Sequence, residues 1–328
     1  FYRIKKAKMS SGKFLYYDFE TCQNNIITCE KGYKNKPRDD CDKCIPLELC
    51  TPCRKCVNCK RPYCGLQKHI PNFLVCQTVC DNCEDNAFTP YSKCENCGDR
   101  CNTCSVKDNS LKHFIRDLCN NDTCGKREKI FKGPDTTEEF CKWLLTPQHK
   151  DVTAIAHNAK AFDAHFVLGY CVDNGVFPEV IFTGTKIMLM NIKQGVSIRF
   201  IDSLNFLPMR LKALPKALGL QGELKKGDFP HLANTLENQE YIGPMFAPYY
   251  YGVDFMSTAD RTEFFIWYNE QQGKTFDFQK ELLEYTRADV TILREACTSF
   301  RKLIMAVTTI QDSNIAGIDP FAHATLAS

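Results

Sequence analysis

The sequence predicts an α/β frame interrupted by a cysteine-rich insertion, on three observations. Apolar and β-branched runs at 14–20, 70–79, 127–132 and 152–158 read as strands, with helical patterns following from Asp135 and Phe162. A long pattern opened by Asp277 places Tyr285, Asp289, Leu293, Ala296 and Phe300 three or four apart, on one face of a helix. Eighteen of the 21 cysteines fall between Cys22 and Cys124. The 328 residues suffice for one large or two smaller domains with a sizeable core.

Along the chain, the run at 14–20 is aromatic and apolar except for Asp18 and Glu20. Two apart in a strand, these carboxylates point to the same face. Asp135 before TTEEFCKWLL reads as an N-cap. VTAIAHN (152–158) is a short buried strand that delivers Asn158 at its end, and 162–173 is the helix that follows. Segments 178–183, 186–193 and 196–202 suggest further strands, then a helix near 210–218 stopped by Gly219. Tyr249, Tyr250 and Tyr251, between Pro248 and Gly252, read as loop packing, with stacking on nucleic acid as the alternative.

Carboxylates carry the chemical signal. Asp18 and Glu20, Asp163 in HNAKAFDAHF, and Asp289 in EYTRADVTIL stand in the order of a two-metal nuclease. Phosphodiester cleavage puts charge on the attacking and the leaving oxygen, which two divalent ions ~3.5–4 Å apart stabilise. Hard ions such as Mg²⁺ or Mn²⁺ require oxygen donors, hence carboxylates rather than thiolates. Tyr285, four residues before Asp289, shares its helical face and can orient a water. Each short motif alone is more often a solvated strand end or an ordinary helix pair; their joint order gives the weight.

Cys-x-x-Cys pairs recur at Cys41/Cys44, Cys50/Cys53, Cys56/Cys59, Cys80/Cys83, Cys94/Cys97 and Cys101/Cys104. Two such pairs make a tetrahedral structural Zn²⁺ site, and Cys80/Cys83 with Cys94/Cys97 or Cys101/Cys104 is a ribbon-like candidate. Spacing does not fix the pairing; disulfides and unliganded thiols remain the alternatives. Lys34, Lys36, Arg38, Arg54, Lys55, Lys60 and Arg61 make the insertion polar, as a solvated face or a surface for DNA or a partner. A net charge of +3 is only mildly basic, so DNA affinity must come from local patches. Nothing resembles a secretory signal or an apolar span of ~20 residues.

The motifs Asp18-x-Glu20, Asn158-x-x-x-Phe162-Asp163 and Tyr285-x-x-x-Asp289 resemble the three exonuclease motifs of the 3′–5′ exonuclease domain of family B DNA polymerases. The blocks IDSLNFLPMRLKALPKALGL (201–220), LKKGDFPHLANTLENQEYIGP (224–244) and FDFQKELLEYTRADVTILREACTSFRK (276–302) are similar to the protein-primed branch, especially polymerases of Polinton (Maverick) elements and related viruses. The resemblance implies a ribonuclease H-like fold, a mixed central sheet flanked by helices. It implies two Mg²⁺ or Mn²⁺ ions on Asp18, Glu20, Asp163 and Asp289, assisted by Tyr285 and Lys226, the latter in ambiguity with Lys225. Thr21, Asn158, Phe162, Ser203 and Leu204 match positions that hold the frayed primer end, although Phe162 could equally pack beside the metal ligand. The protein-primed phage enzymes carry a tyrosine just after the lysine motif. This chain reads Phe229-Pro230-His231, and His231 is expected to be a loop or packing residue.

The implied organisation is a 3′–5′ exonuclease domain at 1–22 and 125–305. A cysteine-rich insertion at 23–124 contributes about 69–80 to the core sheet, and 306–328 starts the connection to a polymerase palm. The palm motifs Asp-x-x-Ser-Leu-Tyr-Pro and Tyr-x-Asp-Thr-Asp do not occur, and the chain begins at Phe1 and ends at Ser328. That points to a piece of a longer protein, with synthesis encoded beyond it. The implied partners are single-stranded or primer-template DNA and, through the palm, a terminal-protein primer; no membrane is implied. The implied location is intracellular, at a nuclear or viral replication site. Two other readings are a catalytically silent zinc-bearing module for DNA or protein binding and a stand-alone nuclease.

Overall fold

A computed structural model of the chain describes residues 10–26, 36–37, 54–55, 67–80, 89–90, 127–220, 226–310 and 317–325. The chain forms two compact units: Phe1–Phe19, Phe73–Lys226 and Thr286–Ser328 make the first, Glu20–Asn72 and Gly227–Tyr285 the second.

The elements in chain order are β1 (Lys13–Ile26), β2 (Lys36–Pro37), β3 (Arg54–Lys55), β4 (Gln67–Cys80), β5 (Thr89–Pro90), β6 (Arg127–Lys132), α1 (Thr136–Leu144), β7 (Thr153–Ala156), α2 (Asp163–Asp173), β8 (Glu179–Thr183), β9 (Lys186–Ile192), β10 (Ile198–Asp202), α3 (Leu214–Ala217), β11 (Ile242–Gly243), α4 (Thr258–Gln271), β12 (Phe276–Asp277) and α5 (Phe278–Thr308). Eight strands form one mixed sheet in the order β5-β6-β4-β1-β7-β10-β9-β8. The centre is parallel: Phe14, Leu15 and Tyr16 of β1 lie opposite Thr153, Ala154 and Ile155 of β7, which pairs in turn with β10. The flanking pairs β10 with β9 and β9 with β8 on one side, and β4 with β6 on the other, are antiparallel, and the edge strand β5 pairs parallel with β6. Every residue of β7 is buried, as expected of a central strand covered on both faces.

Strand alternation divides β1 between two environments. Leu15, Tyr17 and Phe19 enter a core shared with Leu74, Phe131, Phe140 of α1 and Val167 of α2. Tyr17 lies 5.5 Å from Phe140, ring centre to ring centre, and Phe19 meets the same ring edge-on at 5.6 Å. On the other face the Arg301 guanidinium sits 4.8 Å over the Phe14 ring, and Phe321 meets that ring at 5.9 Å. Within this unit α5 buries Val290, Leu293, Ala296, Cys297 and Phe300, a helical stripe turned to the core.

Two local expectations fail for identifiable reasons. The Asp135 side chain makes no capping bond at α1; Thr136 Oγ1 instead donates to the Gly133 carbonyl at 2.8 Å. The helix expected near 210–218 is a 3₁₀ turn at Leu211–Ala213 followed by the short α3. Pro215, which lacks an N–H, is tolerated only in the first turn of a helix and so resets the start. Gly219, at φ +60°, then ends α3 as expected.

The second unit is aromatic. Phe246 meets Phe276 edge-on at 5.4 Å, and β11 pairs antiparallel with β12. Tyr251 is buried against Phe264 at 5.1 Å, while Tyr249 and Tyr250 stack at 4.1 Å in a 3₁₀ turn, so this run packs locally. Ser257 caps α4 by accepting from the Asp260 N–H at 3.2 Å. At the start of α5 the Asp277 carboxylate accepts from the Lys280 N–H at 3.2 Å, as its sequence position predicts.

Candidate active site

Asp18 leaves β1 on the face opposite Tyr17 and Phe19. That face is the one α5 covers, as the stacking of Arg301 on Phe14 shows. Asp289 lies about three helical turns before Arg301, and its carboxylate comes within 4.8 Å of the Asp18 carboxylate. The Lys226 ammonium is ion-paired with Asp289, whose side chain is 4% exposed. Asp163, the first residue of α2, is fully buried, and its Oδ1 accepts the Phe19 N–H at 3.1 Å. It therefore grips the backbone of β1 between the two positions from which Asp18 and Glu20 project. The phenol of Tyr17 is held well above its usual range, first by burial and then by the negative charges of Asp163, Asp202 and Asp18.

Glu20 and Tyr285 belong to the second unit. Glu20, 8% exposed, follows Asp18 on the same face of β1, and His231 Nδ1 is 3.5 Å from its Oε2. The Tyr285 ring is held by Phe229 at 5.4 Å and edge-on by His231 at 5.1 Å. Thr21 is buried, its hydroxyl 2.8 Å from His69 Nδ1.

Residues 146–328 match the family described as DNA polymerase type B, organellar and viral. The chain belongs to this family. A probable DNA polymerase of Ascobolus immersus is 29% identical over 174 residues, covering 50% of this chain and 14% of that relative. Among solved structures, Phi29 DNA polymerase complexed with single-stranded DNA matches at 13% identity and TM-score 0.40, over 91% of this chain and 32% of that one. Its complex with primer-template DNA matches at 14% identity and TM-score 0.38, over 89% and 32%. The chain thus spans about a third or less of each.

In this type B polymerase chain the positions expected to hold DNA divide by exposure. Asn158 is exposed, in a left-handed conformation (φ 64°) that asparagine tolerates. Phe162 is half-buried, edge-on to Phe166 at 5.0 Å. Leu204 is half-buried, whereas Ser203 is fully buried, with its hydroxyl 2.8 Å from His157 Nδ1. Ser203 supports the turn and Leu204 is the side chain of the pair with surface to offer.

The residue that sequence reasoning missed here is Asp202. Fully buried, it accepts the N–H groups of Asn158 at 3.0 Å, Lys160 at 3.0 Å and Leu204 at 2.8 Å. It ties the end of β10 to the turn that carries Asn158 and Phe162. Its signal was an aspartate at a strand end before Ser-Leu-Asn, a capping pattern. The candidate zinc ligands Cys41, Cys44, Cys56, Cys59, Cys83, Cys94, Cys97, Cys101 and Cys104 lie outside the described residues, and Cys80 ends β4. Among the described residues no helix is long and apolar enough to cross a membrane.

Proposed function

We propose that this chain is the 3′–5′ exonuclease region of a protein-primed type B DNA polymerase, a ribonuclease H-like unit that releases nucleoside monophosphates from a 3′ end. The observation that carries the reading is the approach of Asp18 and Asp289 to within 4.8 Å, in a chain of this family. Two ligand oxygens on opposite sides of one ion stand about 4.2 Å apart for Mg²⁺ and farther for a larger ion, so the spacing and the donor type both fit. Asp18, Glu20, Asp163 and Asp289 would hold two Mg²⁺ or Mn²⁺ ions. Bound there, such ions stabilise charge on the attacking and leaving oxygens of the terminal phosphodiester.

The protein groups do the placing. Tyr285 orients the attacking water through its phenol, and Lys226 brings a positive charge to the carboxylate of Asp289. Asn158, exposed on its turn, offers an amide to the terminal nucleotide, and Phe162 and Leu204 flank its base. A stacked base contributes about 1–3 kcal/mol. Protein priming is supported by the sequence blocks 201–220, 224–244 and 276–302 and brings with it a terminal-protein partner. The paired cysteines between Cys41 and Cys104 are read as structural zinc ligands of an insertion working in a reducing compartment, at a nuclear or viral replication site.

Incubating the chain with Mg²⁺ and a single strand labelled at its 3′ terminal nucleotide tests this reading. It requires label released as mononucleotide. Folded protein that releases none is the result expected of a silent DNA- or protein-binding module.

A further inference from the structure

We propose that His231 is a positioning residue of this site, fixing the Glu20 carboxylate and the Tyr285 ring at once; the inference rests on the exonuclease reading. Its Nδ1 is 3.5 Å from Glu20 Oε2, and its ring meets Tyr285 edge-on at 5.1 Å and Phe229 at 5.5 Å. A single imidazole therefore addresses both groups of the second unit that the exonuclease reading uses. Nδ1 facing one carboxylate oxygen leaves the other to a metal ion.

The backbone holds His231 in that place. Pro230 fixes the approach, and His231 opens the 3₁₀ turn His231–Ala233, closed by the Ala233 N–H on the Pro230 carbonyl at 2.8 Å. Asn234 then donates to the carbonyl of Thr21, Glu20's neighbour, at 3.0 Å, and shares hydrogen bonds with Asn72 and Gln239. The loop is thus stitched to β1 one residue beyond Glu20, which registers His231 over that carboxylate. The His231 side chain is 46% exposed, so filling a core is not its function. A neighbouring group that orients a ligating carboxylate typically changes metal affinity or activity by about 10–100-fold.

The test uses the full 328-residue chain and two variants. His231→Phe keeps an aromatic ring against Tyr285 and removes Nδ1; His231→Asn restores a nitrogen near that position without the ring. Mn²⁺ affinity is read directly, by the electron paramagnetic resonance signal of free Mn²⁺. Exonuclease kcat and KM are read on a 3′-labelled single strand. The expected result is Mn²⁺ binding at least about 10-fold weaker and kcat about 10-fold lower in His231→Phe, with KM for DNA within about twofold, and Mn²⁺ affinity largely recovered in His231→Asn. His231→Phe with wild-type Mn²⁺ affinity overturns the proposal, and so do two variants equally defective with lowered melting temperatures. Wild-type chain that binds Mn²⁺ yet releases no mononucleotide overturns the exonuclease reading instead, while the Mn²⁺ comparison still decides the role of His231.

Discussion

The ammonium of Lys226 is ion-paired with the carboxylate of Asp289, a side chain 4% exposed that also lies within 4.8 Å of the Asp18 carboxylate. Two carboxylates at that separation, one buried and one half-buried, repel, and the lysine is a positive charge placed to relieve them.

Lys226→Met removes that charge while keeping the length of the side chain. Exonuclease turnover is expected to fall about 10²-fold, the usual cost of losing one placed electrostatic group. The check is the initial rate of mononucleotide release, with circular dichroism showing the fold retained. A rate within twofold of wild type contradicts the assignment of Lys226.

Asp202 holds three backbone N–H groups, those of Asn158, Lys160 and Leu204. Hydrogen bonds to a charged group contribute about 1.5–3 kcal/mol each net of exchange with water, with non-additivity when one group makes several. Asp202→Ala should therefore cost at least about 2 kcal/mol in urea unfolding and loosen the turn carrying Asn158 and Phe162. Because misplacing a substrate by about 1 Å can cost 10²-fold, kcat/KM on single strands should fall as well. Wild-type stability in this variant would contradict the role given to Asp202.

His149 is buried edge-on to Trp143 at 4.2 Å, with Nδ1 3.0 Å from the Thr146 hydroxyl. Its pKa is pushed down from 6.5 to about 4, first by burial and then by Lys129. Below pH 6.5 the unfolded chain takes up a proton that the folded chain refuses until about pH 4. The contribution of His149 to stability is thus complete above pH 6.5 and is lost as pH falls towards 4, by up to about 3 kcal/mol. In urea unfolding at pH 7 and pH 4.5, His149→Phe should lose less stability than wild type between the two values. Equal losses would contradict the prediction.

Asp319 is fully buried and ion-paired with Arg301 at 3.0 Å, and Ser10 Oγ donates to the same carboxylate. Burial would raise its pKa, but Arg301 and Ser10 outweigh that and hold it below the usual range. Asp319→Ala removes one partner of a buried ion pair, which typically costs about 3–5 kcal/mol. A denaturation midpoint unchanged from wild type would contradict the importance of the pair.

What the sequence reveals follows from apolar patterning. β1 and β7 are near-continuous apolar runs, legible as covered strands, and the buried face of α5 obeys a helical period, so Asp18 and Asp289 come with them. A side chain in a turn obeys none. Asp202 gains its three partners only when the end of β10 and the turn after β7 fold side by side. His231, expected to be a loop or packing residue, meets Glu20 because Asn234 is tied to Thr21 about 200 positions away in sequence. Asp135 was legible as a cap, but its side chain makes no capping bond; the neighbouring Thr136 hydroxyl donates to the Gly133 carbonyl, a contact that sequence position does not announce. Ser203 was legible as a motif, whereas its hydrogen bond to His157 forms only when the ends of β7 and β10 fold side by side.

The most direct measurement compares wild type with Asp18→Ala/Glu20→Ala on a 3′-labelled single strand in Mg²⁺. If these carboxylates hold the ions, mononucleotide release is expected in wild type and a fall of more than about 10³-fold in the double variant. Equal release by both proteins would contradict the assignment of the site.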